Sequence, residues 1–173
     1  MKHDVQDVGS REVKRSFTDE AWYVTGFTDG EGCFSISYTM RAKMRTGIEI
    51  RPSFSIGQNK RSLQVLQDIK TYFGCGAIRF SKSDQLYKYE VRSIKDLRSR
   101  IIPHFQKYPL KTSKQVDFAT FAWICDEIAA MRHLSPVYLR EIIERSSLMN
   151  EAGKRRYDKL TLLKILSRDE DIV

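Results

Sequence analysis

Two carboxylates stand among glycines in the segment 29–32, Asp-Gly-Glu-Gly, directly after the apolar stretch WYVTGFT. One interpretation is a simple turn, because glycine is an ordinary signal for the end of a helix. Another is a divalent-metal site, because hard cations prefer carboxylate ligands. A calcium-binding loop that starts at Asp29 is excluded, since Phe34 and Met40 stand where that loop requires Gly and Glu.

The residues before these carboxylates predict the helix that positions them. Thr18 is predicted as the N-cap, and Asp19 and Glu20 follow in the first turn, where the helix dipole favours acids. The residues up to the glycines are apolar or small almost all the way round, which indicates burial against more than one neighbour. Gly26 and Gly30 share a face and are small enough to let another helix approach closely.

The pattern after this helix predicts two hairpins separated by a second helix. Alternation over 33–41 and 48–58 indicates two strands joined by the basic loop RAKMRTG, and Pro52 indicates an edge or a bulge. Helical spacing over 62–73 ends at two glycines, and a second hairpin follows over 77–94. The remainder of the chain is predicted to be helical. It comprises a short segment to about Ile102, a long helix from about Thr112 to Met131, a helix opened by Ser135 and Pro136, and a last basic amphipathic helix. The order αββαββα with additional C-terminal helices predicts an α+β fold around an antiparallel sheet.

The polar positions of the predicted strands form one face of this sheet. Hydroxyl, guanidinium and carboxylate groups of this kind read base edges and phosphates in nucleic acids. A solvated sheet face is the competing interpretation. An eight-residue strand rises about 26 Å, or about 8 base pairs, so the sheet has the length of a long half-site. The candidate DNA-binding residues are Ser35, Ser37, Thr39, Arg41, Glu49, Arg51, Ser53, Ser55, Arg79, Ser81, Lys88, Glu90 and Arg92.

Composition agrees with a protein that meets phosphate, although an ordinary basic protein has a similar charge. The 173 residues carry 30 Lys and Arg against 22 Asp and Glu, a formal net charge of +8. The chain length suits one compact domain. Three scattered cysteines without a C-x-x-C pair argue against a disulfide framework or a structural zinc, and favour an intracellular location. The N-terminal stretch lacks the apolar core of a signal peptide and no apolar run is long enough for a membrane span, so no membrane partner is expected.

The segment WYVTGFTDGEG resembles the signature helix of LAGLIDADG homing endonucleases. The αββαββα order and the segments QNKR, YPLKTSK and HLSP…SLMNEAGKRRY are similar to the single-motif branch of that family. Val24 and Thr25 stand where the motif name has Leu and Ala. The resemblance covers residues 18–157, which leaves residues 1–17 as an N-terminal arm and 158–173 as a C-terminal helical extension. It implies that the antiparallel sheet forms a DNA-binding saddle.

The resemblance also implies roles for individual residues. Glu31, with the backbone carbonyl of Gly30, matches the ligands of the catalytic Mg²⁺, for which Ca²⁺ or Mn²⁺ substitutes in binding or activity. Asp29 is expected to be a structural carboxylate at the helix end. Gln58 matches the residue that orients solvent, and Lys111 matches a basic residue near the scissile phosphate.

One position departs from the family pattern. The family often has a basic residue four after this glutamine, and Ser62 stands there instead. Lys60 and Arg61 are the candidates to replace it. Without the resemblance, Gln58 would be interpreted as the cap of a strand and Lys111 as an exposed loop residue.

The implied function is cleavage of double-stranded DNA at a long pseudo-palindromic site by metal-dependent phosphodiester hydrolysis, with short 3′ overhangs. Only one signature motif occurs in the chain, so the resemblance implies an intron-encoded homodimer packed through Trp22, Gly26 and Gly30. Its own intron RNA is a further candidate partner, and the bacterial cytoplasm and an organelle both remain open as locations. The alternative functions are an RNA maturase, a non-cleaving DNA-binding regulator of the same fold, or a basic interaction module.

Overall fold

A computed structural model describes residues 16–150, 153 and 155–168. Of the predicted N-terminal arm, residues 1–15 therefore lie outside the described residues. The remaining two, Ser16 and Phe17, cap and open the first helix.

Helix α1, Phe17–Glu31, begins earlier than predicted and does not break at the glycines. The predicted N-cap at Thr18 is wrong, because Ser16 and Asp19 form a capping box: each side chain accepts from the other residue's backbone N–H, at 3.2 and 3.1 Å. The helix continues through Glu31, and the extended backbone of Gly32 starts the sheet. A Cβ at Gly32 would lie 2.5 Å from the Thr28 side chain, so this abrupt exit from the helix requires glycine.

The predicted αββαββα order is confirmed. Strands β1 (Gly32–Met40) and β2 (Ile48–Gln58) form the first hairpin, α2 (Leu63–Phe73) follows, and β3 (Ala77–Ser81) and β4 (Leu86–Val91) form the second. The antiparallel sheet has the order β1-β2-β4-β3. Pairing between β2 and β4 covers only Phe54–Gln58, so β2 is locally an edge at Pro52, as the proline predicted.

Helices make up the rest of the described chain. A helical segment comprises α3 (Ile94–Asp96), a π-helical stretch (Leu97–Ile101) and α4 (Ile102–Lys107), and it is followed by α5 (Lys114–Ala129), a 3₁₀ turn (Arg132–Leu134), α6 (Pro136–Ser146) and α7 (Lys159–Arg168). Leu162 and Leu166 of α7 are buried in the same core as α6, so the helix of the predicted extension packs onto the domain. Within the described part of the chain, no helix combines the length and apolarity needed to cross a bilayer.

The core lies between the helices and one face of the sheet. Phe34 is fully buried at its centre, with ring centroids of Phe54, Phe105, Phe118 and Phe121 at 5.1 to 5.3 Å. Aromatic side chains bury large areas and their rings attract in tilted and edge-on arrangements. The apolar strand positions predicted from alternation therefore face the helices, and the polar positions are left on the opposite face.

A buried hydrogen-bond chain ties α1 to α2 and α4. The Thr25 hydroxyl donates to the Tyr108 carbonyl at 3.0 Å, so it accepts from His104 Nε2–H at 3.1 Å. His104 Nδ1 is then unprotonated and accepts the Tyr72 hydroxyl proton at 3.0 Å. Thr25, the residue that replaces the motif alanine, thus acquires two polar contacts. Burial lowers the pKa of His104 to about 4.

We expect His104 to make the fold less stable in mild acid. The unfolded chain binds a proton near pH 6.5 whereas the folded chain resists it down to about pH 4, so the stability is present above 6.5 and is lost as pH falls through this window. The loss attributable to this group is about 3 kcal/mol. Denaturant unfolding of the wild type and of His104→Gln, which keeps a donor and an acceptor, measures it. Equal pH slopes for the two proteins would show that His104 is not the titrating group.

Candidate functional site

The carboxylate of Asp29 joins the end of α1 to the loop before α5. Its oxygens accept from the backbone N–H of Lys111 at 2.6 Å, the hydroxyl of Thr112 at 2.6 Å and the backbone N–H of Thr112 at 3.3 Å. Partial burial alone would raise the pKa of Asp29, but these hydrogen bonds and the charge of Lys114 outweigh it and lower the pKa below its usual range. The contacts are those of the structural carboxylate expected at this position.

Lys114 closes the same helix end and was missed by the sequence reasoning, which chose Lys111 from the same segment. Its Nζ donates to the carbonyl oxygens of Thr28 and Asp29, both at 2.9 Å, in the last turn of the helix. The Thr28 carbonyl also accepts from the backbone N–H of Gly32. Burial lowers the pKa of Lys114, and electrostatic interactions with Cys33, Asp29 and Glu31 oppose this effect. Lys114 is also the first residue of α5, where a helix dipole disfavours a cation, and this unfavourable position was the signal available in the sequence.

Glu31 is the carboxylate left available for a ligand. It is the last residue of α1 and is exposed, and no hydrogen bond or ion pair joins it to another described residue. Gly30 beside it is also exposed, and an added Cβ would meet nothing within 4 Å. Carboxylate and carbonyl oxygens are the donors that Mg²⁺ prefers, so this pair fits the predicted metal. One carboxylate does not complete a coordination shell, and the described residues contain no cluster of three or more His, Cys, Asp or Glu that could hold a metal.

The other predicted catalytic residues lie near the same corner. The β1–β2 register begins at Gly32–Ile56, which puts Gln58, two residues further along β2, beside the end of α1. The alternation of β2 gives Gln58 the parity of Ile56, so it does not belong to the polar sheet face. Lys111 is exposed, and its backbone holds Asp29. No described hydrogen bond joins either side chain to Glu31, so their catalytic roles stay predictions.

The segment that follows Gln58 is a capped turn. The Asn59 side chain accepts from the backbone N–H of Arg61 and of Ser62, at 2.9 and 3.3 Å, and starts the 3₁₀ turn Lys60–Ser62. Lys60 and Arg61 are exposed, and whether either replaces the basic residue missing at Ser62 stays a prediction.

The strand register brings the predicted DNA-binding residues together on the face opposite the helices. Arg41 and Arg92, one residue beyond their strands, contact acids of the same face. Cross-strand neighbours on this face include Ser35–Ser53, Ser37–Arg51, Thr39–Glu49, Ser55–Glu90, Arg79–Lys88 and Ser81–Leu86.

Acids hold several of the basic groups on this polar face. Glu49 accepts from Arg41 at 3.0 Å and from Arg51 at 2.8 Å, and Glu90 accepts from Arg92 at 2.9 Å. The arginines of these pairs are exposed, and exposed ion pairs contribute about 0 to 1 kcal/mol each. Such guanidiniums are held in place yet can exchange their carboxylate for a phosphate or a base edge at low cost.

Helix α1 has a second face that this chain leaves open. Its buried residues are Ala21, Val24, Thr25 and Thr28, whereas Trp22 is 44% exposed and Tyr23 is 36% exposed. An added Cβ at Gly26 would meet nothing within 4 Å, as at Gly30. Among the described residues, therefore, the helix is packed on one side only, and its other face is open to a further neighbour.

The family model described as "LAGLIDADG endonuclease" matches residues 24–125, which include the α1 carboxylates, the sheet and most of α5. The chain belongs to the LAGLIDADG endonuclease family. Its fold is similar to that of solved homing endonucleases. It is similar to the homing endonuclease I-TnaI, with a TM-score of 0.75 and 34% identity over 86% of this chain and 97% of that one. It is also similar to the archaeal intron-encoded homing endonuclease I-Vdi141I in complex with DNA, with a TM-score of 0.82 and 26% identity over 90% and 99% of the two chains.

The curated relatives that the chain matches differ from one another in length. The homing endonuclease I-ApeII of Aeropyrum pernix is 29% identical over 87% of this chain and 92% of its own length. An uncharacterized 50.9 kDa protein in ND4 intron 1 of Podospora anserina is 36% identical over 68% of this chain, but the match covers only 26% of that protein. The chain thus spans about a quarter of the length of some relatives that it matches.

We expect Asp29→Asn to loosen the end of α1. The amide has one carbonyl oxygen where the carboxylate uses two charged ones, so the loop before α5 loses charge-assisted hydrogen bonds. The expected cost is about 1 to 3 kcal/mol of unfolding free energy. Amide hydrogen exchange at Lys111 and Thr112 should accelerate, whereas that of the β2–β4 ladder should follow only the global change. Unaltered exchange at these two amides would contradict the role of Asp29.

Proposed function

We propose that the chain is a site-specific DNA endonuclease that hydrolyses phosphodiester bonds with the help of a divalent cation, as a dimer on a pseudo-palindromic duplex. The observation that carries the proposal is Glu31, an exposed carboxylate at a helix end fixed by Asp29 and Lys114, at the margin of a polar sheet face. I-ApeII and I-TnaI are described as homing endonucleases, which supports this activity.

Glu31 and the carbonyl of Gly30 would hold the cation, which we assign as Mg²⁺. When bound, it would neutralise charge on the scissile phosphate and make water a better nucleophile. The meganuclease I-SmaMI has been solved with its uncleaved DNA target in the presence of calcium ions, which supports divalent-metal use in the family. The remaining ligands would be phosphate oxygens, water and groups of a second subunit. In the protein itself, Asp29 and Lys114 keep the end of α1 from fraying and so fix where the Glu31 carboxylate stands.

The polar sheet face supplies recognition of a duplex. Strand β2 has 11 residues, a rise of about 36 Å, which matches about 10 base pairs of one half-site. A β-ribbon fits the major groove, where guanidiniums and carboxylates distinguish bases. I-Vdi141I, I-SmaMI and I-LtrWI have been solved bound to DNA, which supports a DNA partner for this chain.

The open face of α1 supports a homodimer. Gly26 and Gly30 let a second helix approach closely, and Trp22 would lose exposed apolar surface. Each subunit would bring one Glu31 to the two-fold axis, giving the two sites that two strands require. The chain covers 97% of I-TnaI but 47% of the I-LtrWI chain, so a DNA-bound member can be about twice the length of this unit. We also infer an intron-encoded protein that acts inside the cell, as the names of several relatives support.

Glu31→Gln is expected to abolish strand cutting while the fold and DNA binding persist, because a neutral amide is a poor ligand for Mg²⁺. Sites bound and sites cut are selected from a randomised duplex library, with Ca²⁺ for binding and Mg²⁺ for cleavage. Glu20→Gln, the same change at the other end of α1, is the control and should cut normally. If the wild type binds duplexes and never cuts them, a non-cleaving DNA-binding regulator replaces the endonuclease; undiminished cutting by Glu31→Gln would remove the assignment of the ligand.

Mixed dimers test the stoichiometry. Two differently tagged subunits, one wild type and one Glu31→Gln, are purified as a pair and given supercoiled plasmid with the selected site. One active site per subunit predicts nicked circles far more readily than linear product, because the surviving site cuts one strand. Linear product at the wild-type rate, or a protein that stays monomeric on DNA while making double-strand breaks, would contradict the dimer.

A further inference from the structure

The segment Arg155–Tyr157 lies against the β1 edge of the polar sheet face. Together with the sheet it encloses a cleft of about 400 Å³, whose sheet side includes Ser35, Ser37, Arg51 and Arg92. Since β1 is the outermost strand on this side, the cleft extends the polar face beyond the sheet. The DNA-binding residues predicted from the strands do not include any residue of this segment.

Hydrogen bonds fasten this segment to the domain. The Arg155 guanidinium donates to the carbonyl oxygens of Ser147, at 3.0 Å, and Met149, at the end of α6. The Asn150 side chain donates to the Phe34 carbonyl of β1 at 2.7 Å, and its backbone N–H donates to Asp117 of α5. The chain after α6 is therefore held at the sheet edge by contacts with β1, α5 and its own turn.

One guanidinium at this edge has no carboxylate partner among the residues that the structure describes. Tyr157 is half-buried against the core, and the exposed Arg156 guanidinium lies over its ring, 5.4 Å from the centroid. Arg51 and Arg92 in the same cleft are each paired with a glutamate. Among the described residues, no carboxylate forms an ion pair with Arg156, and no acid lines the cleft.

We propose that Arg156 binds a backbone phosphate of the DNA that lies on the polar sheet face, just outside the bases read by β1. This rests on the proposed function and adds to it a contact that sets the position of the duplex rather than its sequence. A planar guanidinium presents several N–H donors to phosphate oxygens, and the Tyr157 ring restricts its orientation before DNA arrives. Arg51 and Arg92, which are paired with glutamates on the polar sheet face, are better suited to contacts with base edges.

The test is the salt dependence of binding to a duplex of random sequence in Ca²⁺. Losing one phosphate contact per subunit in Arg156→Gln should lower the slope of log K against log salt by about 0.9 per subunit and weaken all sequences alike. Arg156→Lys, which keeps the charge, should retain most of the slope. The control is Arg98→Gln, which removes another exposed charge, from the helical layer, where Arg98 pairs with Asp126 at 2.8 Å. Its slope should equal that of the wild type.

The possible results separate this inference from the proposed function. If the wild type binds DNA and Arg156→Gln has the same affinity and slope, the phosphate contact is wrong and the endonuclease stands. If Arg156→Gln changes the preferred bases at one position of the selected sites, Arg156 reads a base and the inference is equally overturned. If the wild type binds no duplex at all, both the Arg156 contact and the proposed endonuclease function are wrong. Thermal unfolding midpoints of the two Arg156 variants within error of the wild type confirm that binding, not folding, is compared.

Discussion

The attachment of the α1 end to the loop before α5 is the constraint on which the site depends. A helix C-terminus has carbonyl groups without intrahelical partners and tends to fray. Here Lys114 binds the carbonyls of Thr28 and Asp29 in the last turn, while the Asp29 carboxylate binds the loop that carries Lys114. Both contacts connect residues more than 80 positions apart, so the orientation of Glu31 is a property of the folded domain.

The sheet has one apolar face and one polar face because successive side chains of a strand point to opposite sides. Phe34 lies at the centre of an aromatic core, and its neighbour Ser35 faces the opposite way and bonds Ser53 across the hairpin at 2.9 Å. The packed face makes the strands rigid, and rigid strands hold the hydroxyls and guanidiniums of the other face in a fixed pattern. The proposed binding of DNA on this face would therefore demand little ordering of the protein, which lowers the entropic cost of association.

The described residues of a single chain supply only part of what the proposed chemistry requires. Helix α1 exposes aromatic and glycine positions on one side, and its available carboxylate at the site is a single glutamate. Both features have one physical explanation, since a second α1 packed on the open face would cover apolar surface and bring a second carboxylate near the first. The solved I-LtrWI chain is about twice as long as this unit, whereas 97% of the I-TnaI chain is matched by it.

The sequence by itself determined the order of the elements, the strand parity and the position of Glu31, because periodicity, glycine stops and a local motif depend on residues close together in the chain. It placed the α1 cap two residues late at Thr18, where the reciprocal Ser16 and Asp19 bonds decided the outcome. Only the tertiary structure decided that Lys114 closes α1, that His104 joins three helices, and that Asn150 and Arg155 hold a basic segment at β1. The contacts Thr25–His104, Thr28–Lys114 and Phe34–Asn150 join residues 79 to 116 positions apart. A single sequence carries no periodic signal for such pairs, since their distance is set by how whole elements pack.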